Sequence, residues 1–312
     1  MLEPVVSVLM AVHNAEEWLD EALDSLLCNQ TFQVFEVLAV DDASTDSSYA
    51  ILQRRAAQDE RLCVFQCQKN SGQAVARNLA LQHAKGEYVT MVDADDWLSP
   101  DALASAVEVF RQHPQTDCVV FQLEYTGKET GCVRNVFTDG CEVLTGEEAF
   151  RLSLDWSLHG LYMVRREIHL RYPFDESLPL YSDDNCTQLH YLHSREVRPC
   201  AGVYYYRKHG RNSTSVISPN RFLHVEANFL LRKQLVDEGV SHDILSYYDV
   251  YRWKVYRGQL WLFFTHRCEL TKADRKRVVE GFRRLYPSFV RTMPWPLYFV
   301  SEWLRWLLKR GF

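Results

Sequence analysis

A short apolar stretch, 87–92, runs straight into Asp93, Asp95 and Asp96. Carboxylates this close repel one another, and a partly buried one is costly unless something pairs with it. Asp93 and Asp95, one residue apart at a strand-to-loop bend, can turn oxygens toward a shared Mg2+ or Mn2+. Such hard cations prefer carboxylates together with substrate phosphates, and a bound ion would relieve the repulsion. A solvated loop in which Asp95 or Asp96 starts a helix is the plainer alternative for an acidic triplet taken alone.

Other groups able to do chemistry sit at comparable punctuation points. Asp41-Asp42 end an apolar run at 35–40; as turn residues they could equally satisfy loop N–H groups. Asp183-Asp184 follow Phe174-Asp175-Glu176 and open a helical pattern, where the helix dipole alone favours carboxylates. Arg207, His209, Asn212, Ser213 and Ser215 follow a Tyr-rich strand pattern, and Arg207 is a natural phosphate partner. In 156–168, Trp156, Leu161 and Tyr162 read as core.

The elements that must position these groups alternate over the first 125 residues. Strand patterns fall at 4–12, 35–40, 62–67, 87–92 and 117–123. Between them lie helical patterns. The first carries Trp18, Leu19, Ala22, Leu23, Leu26 and Leu27 at helical spacing, with Asn14 and Glu17 as a capping box. The next spans 44–58 with Ser44 or Thr45 as cap, then 73–85 stopped by Gly86, then a helix begun by Ser99-Pro100-Asp101. Strands joined by helices imply an α/β fold: a mostly parallel sheet with helices on both faces and ligands beyond the carboxyl ends of the strands. Asp41-Asp42 and Asp93 both lie at such ends, so the two acidic clusters can share one crevice. The pattern loosens over 126–215, as in a second lobe packed on the sheet, and turns helical again from about 221.

Composition sets wider bounds. The 312 residues are 47% hydrophobic and 24% charged, enough for a full core. The nine Cys show no pairing framework, no CxxC and no Cys/His cluster spaced to hold zinc, which fits a reducing cytosol. The start, "MLEPVVSVLM", has Glu3 and Pro4 and no basic segment, and reads as a first strand, not a signal peptide. Residues 252–312 hold 14 Lys/Arg against 4 Asp/Glu, a local +10 in a chain of net −6. A basic tail on an acidic body points to different partners for the two parts, with nothing calling for nucleic acid.

The ordered series Val12-His13-Asn14, Asp41-Asp42-Ala43-Ser44-Thr45-Asp46, Asn70-Ser71-Gly72 through Ala76-Arg77-Asn78, and Gly86-Glu87-Tyr88 leading into Asp93-Ala94-Asp95-Asp96 closely resembles the family-2 glycosyltransferases of GT-A (Rossmann-like) fold. The resemblance covers about residues 5–125; Ala43 stands where the family often has Gly. It implies an inverting, metal-dependent enzyme that moves a sugar from a nucleotide-diphosphate sugar, UDP-linked in most relatives, to a hydroxyl of a glycan or lipid-linked acceptor. Capsule, exopolysaccharide or O-antigen synthesis is the setting it suggests. Donor contacts would fall to Val12, Asn14, Asp41, Asp42, Arg77, Asp93, Ala94, Asp96, Arg207 and Ser213, with Asp42 accepting from the nucleobase. Asp93 and Asp95 would hold Mn2+ or Mg2+, with His209 completing the shell. Asp184 would be the general base and Asp183 its runner-up; relatives more usually carry Glu-Asp. The implied organisation is a glycosyltransferase domain over 1–215, with a nucleotide-binding half (1–125) and an acceptor half (126–215), followed by a basic helical region over 216–312. Other readings of the carboxylates are a Mg2+-dependent phosphotransfer or phosphatase enzyme, disfavoured because strand 1 ends in His13-Asn14, and a non-catalytic membrane-associated scaffold of the same fold.

The segment 295–312, "WPLYFVSEWLRWLLKRGF", places Ser301, Glu302, Arg305 and Lys309 on one narrow helical face and Trp, Phe and Leu residues around the remainder. A helix over about 295–310 would suit an anionic membrane surface. Dimerisation, or burial in the core, is the alternative. No run of about 18 uncharged apolar residues exists to span a bilayer. Peripheral attachment to the inner face of the cell membrane is the resulting expectation.

Overall fold

A computed structural model describes residues 3–210 and 216–292. The chain divides into two compact units, one of residues 1–179 with 186–209 and the other of residues 180–185 with 210–312.

The first unit is built on one sheet. In chain order its elements are β1 (Val6–Val12), α1 (Leu19–Leu27), β2 (Phe35–Asp41), α2 (Ser48–Ala56), β3 (Leu62–Gln66), α3 (Gln73–His83), β4 (Tyr88–Met91), β5 (Trp97–Leu98), α4 (Ala102–Gln112) and β6 (Thr116–Gly127). Then come β7 (Gly131–Cys132), β8 (Leu144–Thr145), α5 (Gly146–Ser153), β9 (Tyr162–Arg165), α6 (Arg166–Arg171), α7 (Ser182–Leu192), whose residues up to Asn185 belong to the second unit, and β10 (Glu196–Lys208). The strand order is β3-β2-β1-β4-β9-β6-β10-β5, with β7 and β8 on β6 and β10. Pairing is parallel among β3, β2, β1 and β4 and between β6 and β10. The expected mostly parallel sheet is present, with β9 wedged antiparallel between β4 and β6. Every residue of β2 is buried, as befits an inner strand covered on both faces.

Local chemistry departs from the sequence reading at four places. Asn14 does not cap α1, whose N-cap Trp18 has no side-chain cap bond. Asn14 instead sits at φ +51° and its carboxamide oxygen accepts from the Thr45 N–H (2.8 Å), so it serves the loop after β2. The helix expected from Ser44 starts only at Ser48, because Asp46 turns back to accept from the Ser48 N–H (2.9 Å) and the Glu16 N–H (3.1 Å). Gly86 is not a left-handed helix stop. A Cβ there would lie 2.5 Å from the Ser7 nitrogen, so glycine is required by close approach to β1. Trp156, read as core, is 55% exposed.

The second unit is helical. A 3-10 turn (Pro219–Phe222) leads into α8 (His224–Asp237), α9 (His242–His266) and α10 (Lys272–Arg291). Its core joins Phe222, Val225, Trp253, Tyr256, Phe263, Phe282 and Phe289. Ser241 and Thr271 cap α9 and α10 by accepting from Ile244 N–H and Asp274 N–H. Among the described residues no helix is long and apolar enough to cross a membrane. The helix expected over 295–310 lies outside the described residues.

Candidate active site

β1, β2 and β4 run in parallel, so their carboxyl ends share one edge of the sheet. Asp41 and Asp42 emerge there from β2, and Asp93 follows β4. Asp42 closes onto the edge through its N–H, donated to the Val12 carbonyl (2.8 Å). Its two carboxylate oxygens accept from the Ser71 N–H (2.8 Å) and the Gly72 N–H (2.7 Å), which folds the 70–72 turn against the strand end. Asp41 is fully buried; its Oδ2 accepts from Ser44 and Gln66, and its Oδ1 has no hydrogen-bond partner among the described residues. Ala43, between them and Ser44, has φ +54°, the left-handed region where the family's more common glycine would be free of strain. His13 sits over the same turn, its Nδ1 2.9 Å from the Asp42 carbonyl and its Nε2 3.0 Å from Asn70 Nδ2.

The carboxylates after β4 form a tight group. Asp93, Asp95 and Asp96 each offer an oxygen within 4.8 Å of the others. Arg77, 4% exposed on α3, donates to Asp93 Oδ1 at 2.5 Å and lies over the Phe174 ring. His209 Nε2 is 2.8 Å from Asp95 Oδ2, and the Trp18 ring stacks on the imidazole with centroids 4.3 Å apart. Asp96 is 2% exposed and accepts from the Arg207 N–H (2.8 Å) and the Tyr204 hydroxyl (3.0 Å). The same hydroxyl accepts from the Asp93 N–H (3.1 Å). Ala94 is buried between the carboxylates.

Burial, then the charge of Asp93, raises Asp95 above the usual carboxylate range, against the pull of His209. Burial, then Asp93 and Asp95, pushes Asp96 well above that range, against the bonds from Arg207 and Tyr204. Three crowded carboxylates, with Asp95 and Asp96 resisting ionisation, suit a divalent cation, and an all-oxygen donor set with one imidazole at its side suits Mg2+ or Mn2+.

Arg207 is engaged with the protein. Its Nε donates to the Asp95 carbonyl (2.9 Å), its Nη2 pairs with Glu21 on α1 (2.5 Å), and its guanidinium covers the Trp97 ring at 4.5 Å. Asn78 ties α3 to the Phe174-Asp175-Glu176 segment, donating to the Phe174 carbonyl and Glu176 Oε1, both at 2.9 Å. Ser213, with Asn212 and Ser215, lies outside the described residues.

In the second unit, Asp183 and Asp184 occupy the first turn of α7. Burial, then the adjacent Asp183 charge, raises the Asp184 carboxyl to about 8, with Arg221 opposing. Tyr181 precedes them at φ +69°, its ring stacked on His224 (4.4 Å) and its hydroxyl donating to the Arg221 carbonyl (2.9 Å).

The structure thus gathers Asp93, Asp95, Asp96, Arg77, Arg207 and His209, residues drawn from β4, α3 and β10. Sequence reasoning missed Tyr204, Trp18 and Glu21. The period of two along 204–206 offered a signal for Tyr204, since alternate tyrosines must face opposite sides of the sheet. Trp18 and Glu21 read only as helix residues.

Residues 7–164 match the family described as "Glycosyl transferase family 2", and the chain belongs to that family. An uncharacterized glycosyltransferase of Haemophilus influenzae is 37% identical over 110 residues, covering 35% of this chain and 44% of that protein. The minor teichoic acid biosynthesis protein GgaA of Bacillus subtilis is 25% identical over 326 aligned positions, 98% of this chain and 72% of that protein. The chain spans less than half the length of the H. influenzae relative. Among solved structures, S. aureus TarS 1-349 in complex with UDP-GlcNAc aligns with a TM-score of 0.69 at 22% identity, over 93% of this chain and 81% of that one. The fold is accordingly the GT-A α/β arrangement expected from the motifs.

Proposed function

We propose that this chain transfers a sugar from a UDP-linked donor to a hydroxyl of a glycan or lipid-linked acceptor, with inversion, in the synthesis of a cell-surface polysaccharide. The observation that carries the reading is the cluster of Asp93, Asp95 and Asp96 at a strand end, braced by Arg77, Tyr204 and His209. Support comes from the family match, from GgaA's name and from the UDP-GlcNAc complex of TarS.

Each residue then has a defined task. The buried, unpartnered Asp41 Oδ1 is the acceptor best matched to a uracil imide N–H. Asp42 holds the Ser71-Gly72 turn that walls the base, so its role is one step removed from the contact first expected of it. Val12 and Asn14, at the neighbouring end of β1, are the further donor contacts of this reading. Arg77 fixes the rotamer of Asp93, and Arg207 fixes the Asp95 carbonyl and the Asp96 carboxylate. Asp93 and Asp95, with His209 beside them, would hold Mn2+ or Mg2+, which would neutralise the charge that develops on the departing diphosphate. Asp184 accepts the proton of the acceptor hydroxyl as its oxygen bonds to the anomeric carbon and the bond to diphosphate breaks. The basic C-terminal region attaches the enzyme peripherally to an anionic membrane, where lipid-linked acceptors lie.

Calorimetry of UDP with and without Mn2+, beside a transfer assay of Asp93→Asn, tests the reading. Manganese-assisted UDP binding by the parent and loss of transfer in the variant are expected. Undiminished transfer by Asp93→Asn would remove the metal role.

A further inference from the structure

The spacing of Cys and His along the chain shows no zinc motif, yet α6, α7 and the turn between them bring soft donors together inside the first unit. His169 (α6) with Cys186 and His190 (α7) are 1%, 2% and 0% exposed. Their donor atoms all lie within 4.8 Å of one another. Cys186 and His190 are four apart, one above the other on a single helix face. Cys186 Sγ is 3.4 Å from His190 Nε2 and 3.9 Å from His169 Nε2. The Tyr172 carbonyl oxygen is 2.9 Å from His190 Nε2 and 3.3 Å from Cys186 Sγ. In a tetrahedral zinc site, a nitrogen at about 2.1 Å and a sulfur at about 2.3 Å from the metal stand about 3.6 Å apart. These separations approximate the edges of such a tetrahedron.

We propose that His169 Nε2, Cys186 Sγ, His190 Nε2 and the Tyr172 carbonyl hold a structural zinc ion, which staples α6 to the stretch of α7 that carries Cys186 and His190. Binding releases the Cys186 thiol proton to solvent, and the imidazoles enter neutral. Both ring nitrogens of His190 have oxygen neighbours. Its Nδ1 lies 2.7 Å from the Tyr162 hydroxyl, which itself has Thr187 Oγ1 at 3.4 Å as an acceptor. In the tautomer whose Nδ1–H donates to Tyr162, the Nε2 lone pair faces the Tyr172 oxygen, and a bound cation would relieve these two facing acceptors. The competing arrangement is the other tautomer, in which Tyr162 donates to Nδ1 and Nε2–H donates to Tyr172. The nitrogen, sulfur and carbonyl donors also separate this site chemically from the carboxylate cluster, which selects Mg2+ or Mn2+.

The full chain, produced in zinc-supplemented medium and stripped of loosely held metal by a chelator, is unfolded and its zinc counted. About one zinc per chain is expected, kept in Asp93→Asn and lost in Cys186→Ala. Protein produced with cobalt in place of zinc should show a thiolate-to-cobalt charge-transfer band and the intense visible bands of a four-coordinate ion. Cys186→Ser should lack the charge-transfer band. If the cysteine variants do not fold, the parent protein decides alone. Zinc-free parent protein, or a cobalt form without the thiolate band, overturns the proposal, and so does zinc retained in full by Cys186→Ala.

Discussion

Tyr204→Phe removes one oxygen from the candidate site and nothing else. The hydroxyl accepts from the Asp93 N–H at 3.1 Å and donates to Asp96 Oδ2 at 3.0 Å, and the ring is 1% exposed, so phenylalanine fills the same space without a cavity. A hydrogen bond to a charged acceptor contributes about 1.5–3 kcal/mol, and the Asp93 N–H loses its acceptor as well. A loss of about 2 kcal/mol lowers Tm by roughly 4–8 °C in a unit of some two hundred residues. The larger effect falls on function. Both atoms released flank the Asp93–Asp95 pair, and outer partners that orient metal ligands are each worth about 10–100-fold in affinity or activity. UDP release from a UDP-sugar, followed as Mn2+ is titrated, should therefore show turnover down by about that factor and the Mn2+ midpoint raised. Circular dichroism would report an intact fold. If turnover and midpoint both stay within about twofold of the parent, Tyr204 does not orient the cluster and the argument from its two bonds fails.

Other expectations follow from the same geometry. Asp184→Asn should keep Mn2+-dependent UDP binding by calorimetry while turnover falls by at least about 100-fold; collapse of UDP affinity would make Asp184 structural instead. Burial works against the charge of Asp117, but bonds from Arg195 and the charge of Arg165 outweigh it and hold its carboxyl below the usual range. That depressed value contributes stability present above about pH 4 and lost as pH falls through the folded value. Asp117→Asn should therefore cost about 2–3 kcal/mol at neutral pH in urea unfolding, with the gap closing in acid; a gap independent of pH would refute the assignment. A chain ending before Trp295 should no longer sediment with anionic liposomes, whereas unchanged sedimentation would place the attachment elsewhere.

The parts of the fold that were legible in the sequence are those with one dominant local cause. Continuous apolar runs ending in Asp41 and Asp93 gave two strand ends, because a buried parallel strand leaves little room for other patterns. The parts that were not legible depend on what lies across space. Asn14 before an apolar helical run looks like a cap, yet its carboxamide reaches the loop 31 residues on. Gly86 after a helix looks like a stop, yet its cause is the Ser7 nitrogen on another strand. Strand β9 was hidden because Tyr162–Arg165 is too short to show a period, and its place between β4 and β6 is fixed by pairing on both sides. Within the candidate site, the carboxylates and Arg77, Arg207 and His209 were legible as residue types. Tyr204, Trp18 and Glu21 were not, since a tyrosine in a strand and a tryptophan on a helix have ordinary packing roles until their neighbours are known. His169, Cys186 and His190 were missed for the same reason, being joined by a helix–turn–helix path that no spacing rule describes.

From Val197 onward, strand β10 follows β6 in two straight stretches separated by an offset. Pro199 pairs with Val120, but the next pair is Val203 with Gln122, so three residues on β10 face one on β6. Gly202 lies in that offset, where a Cβ would come 2.6 Å from the Ala102 Cα of α4. Because side chains alternate with a period of two, the surplus of two residues preserves parity, and Tyr204 keeps its side of the ribbon. Indels in this short stretch should obey an even–odd rule. Removing a pair of residues straightens the ribbon with each side chain still facing its own way, while removing one turns Tyr204 away from Asp96 and brings Tyr205 round in its place. Lineage drift and engineering alike can reshape this strand in steps of two.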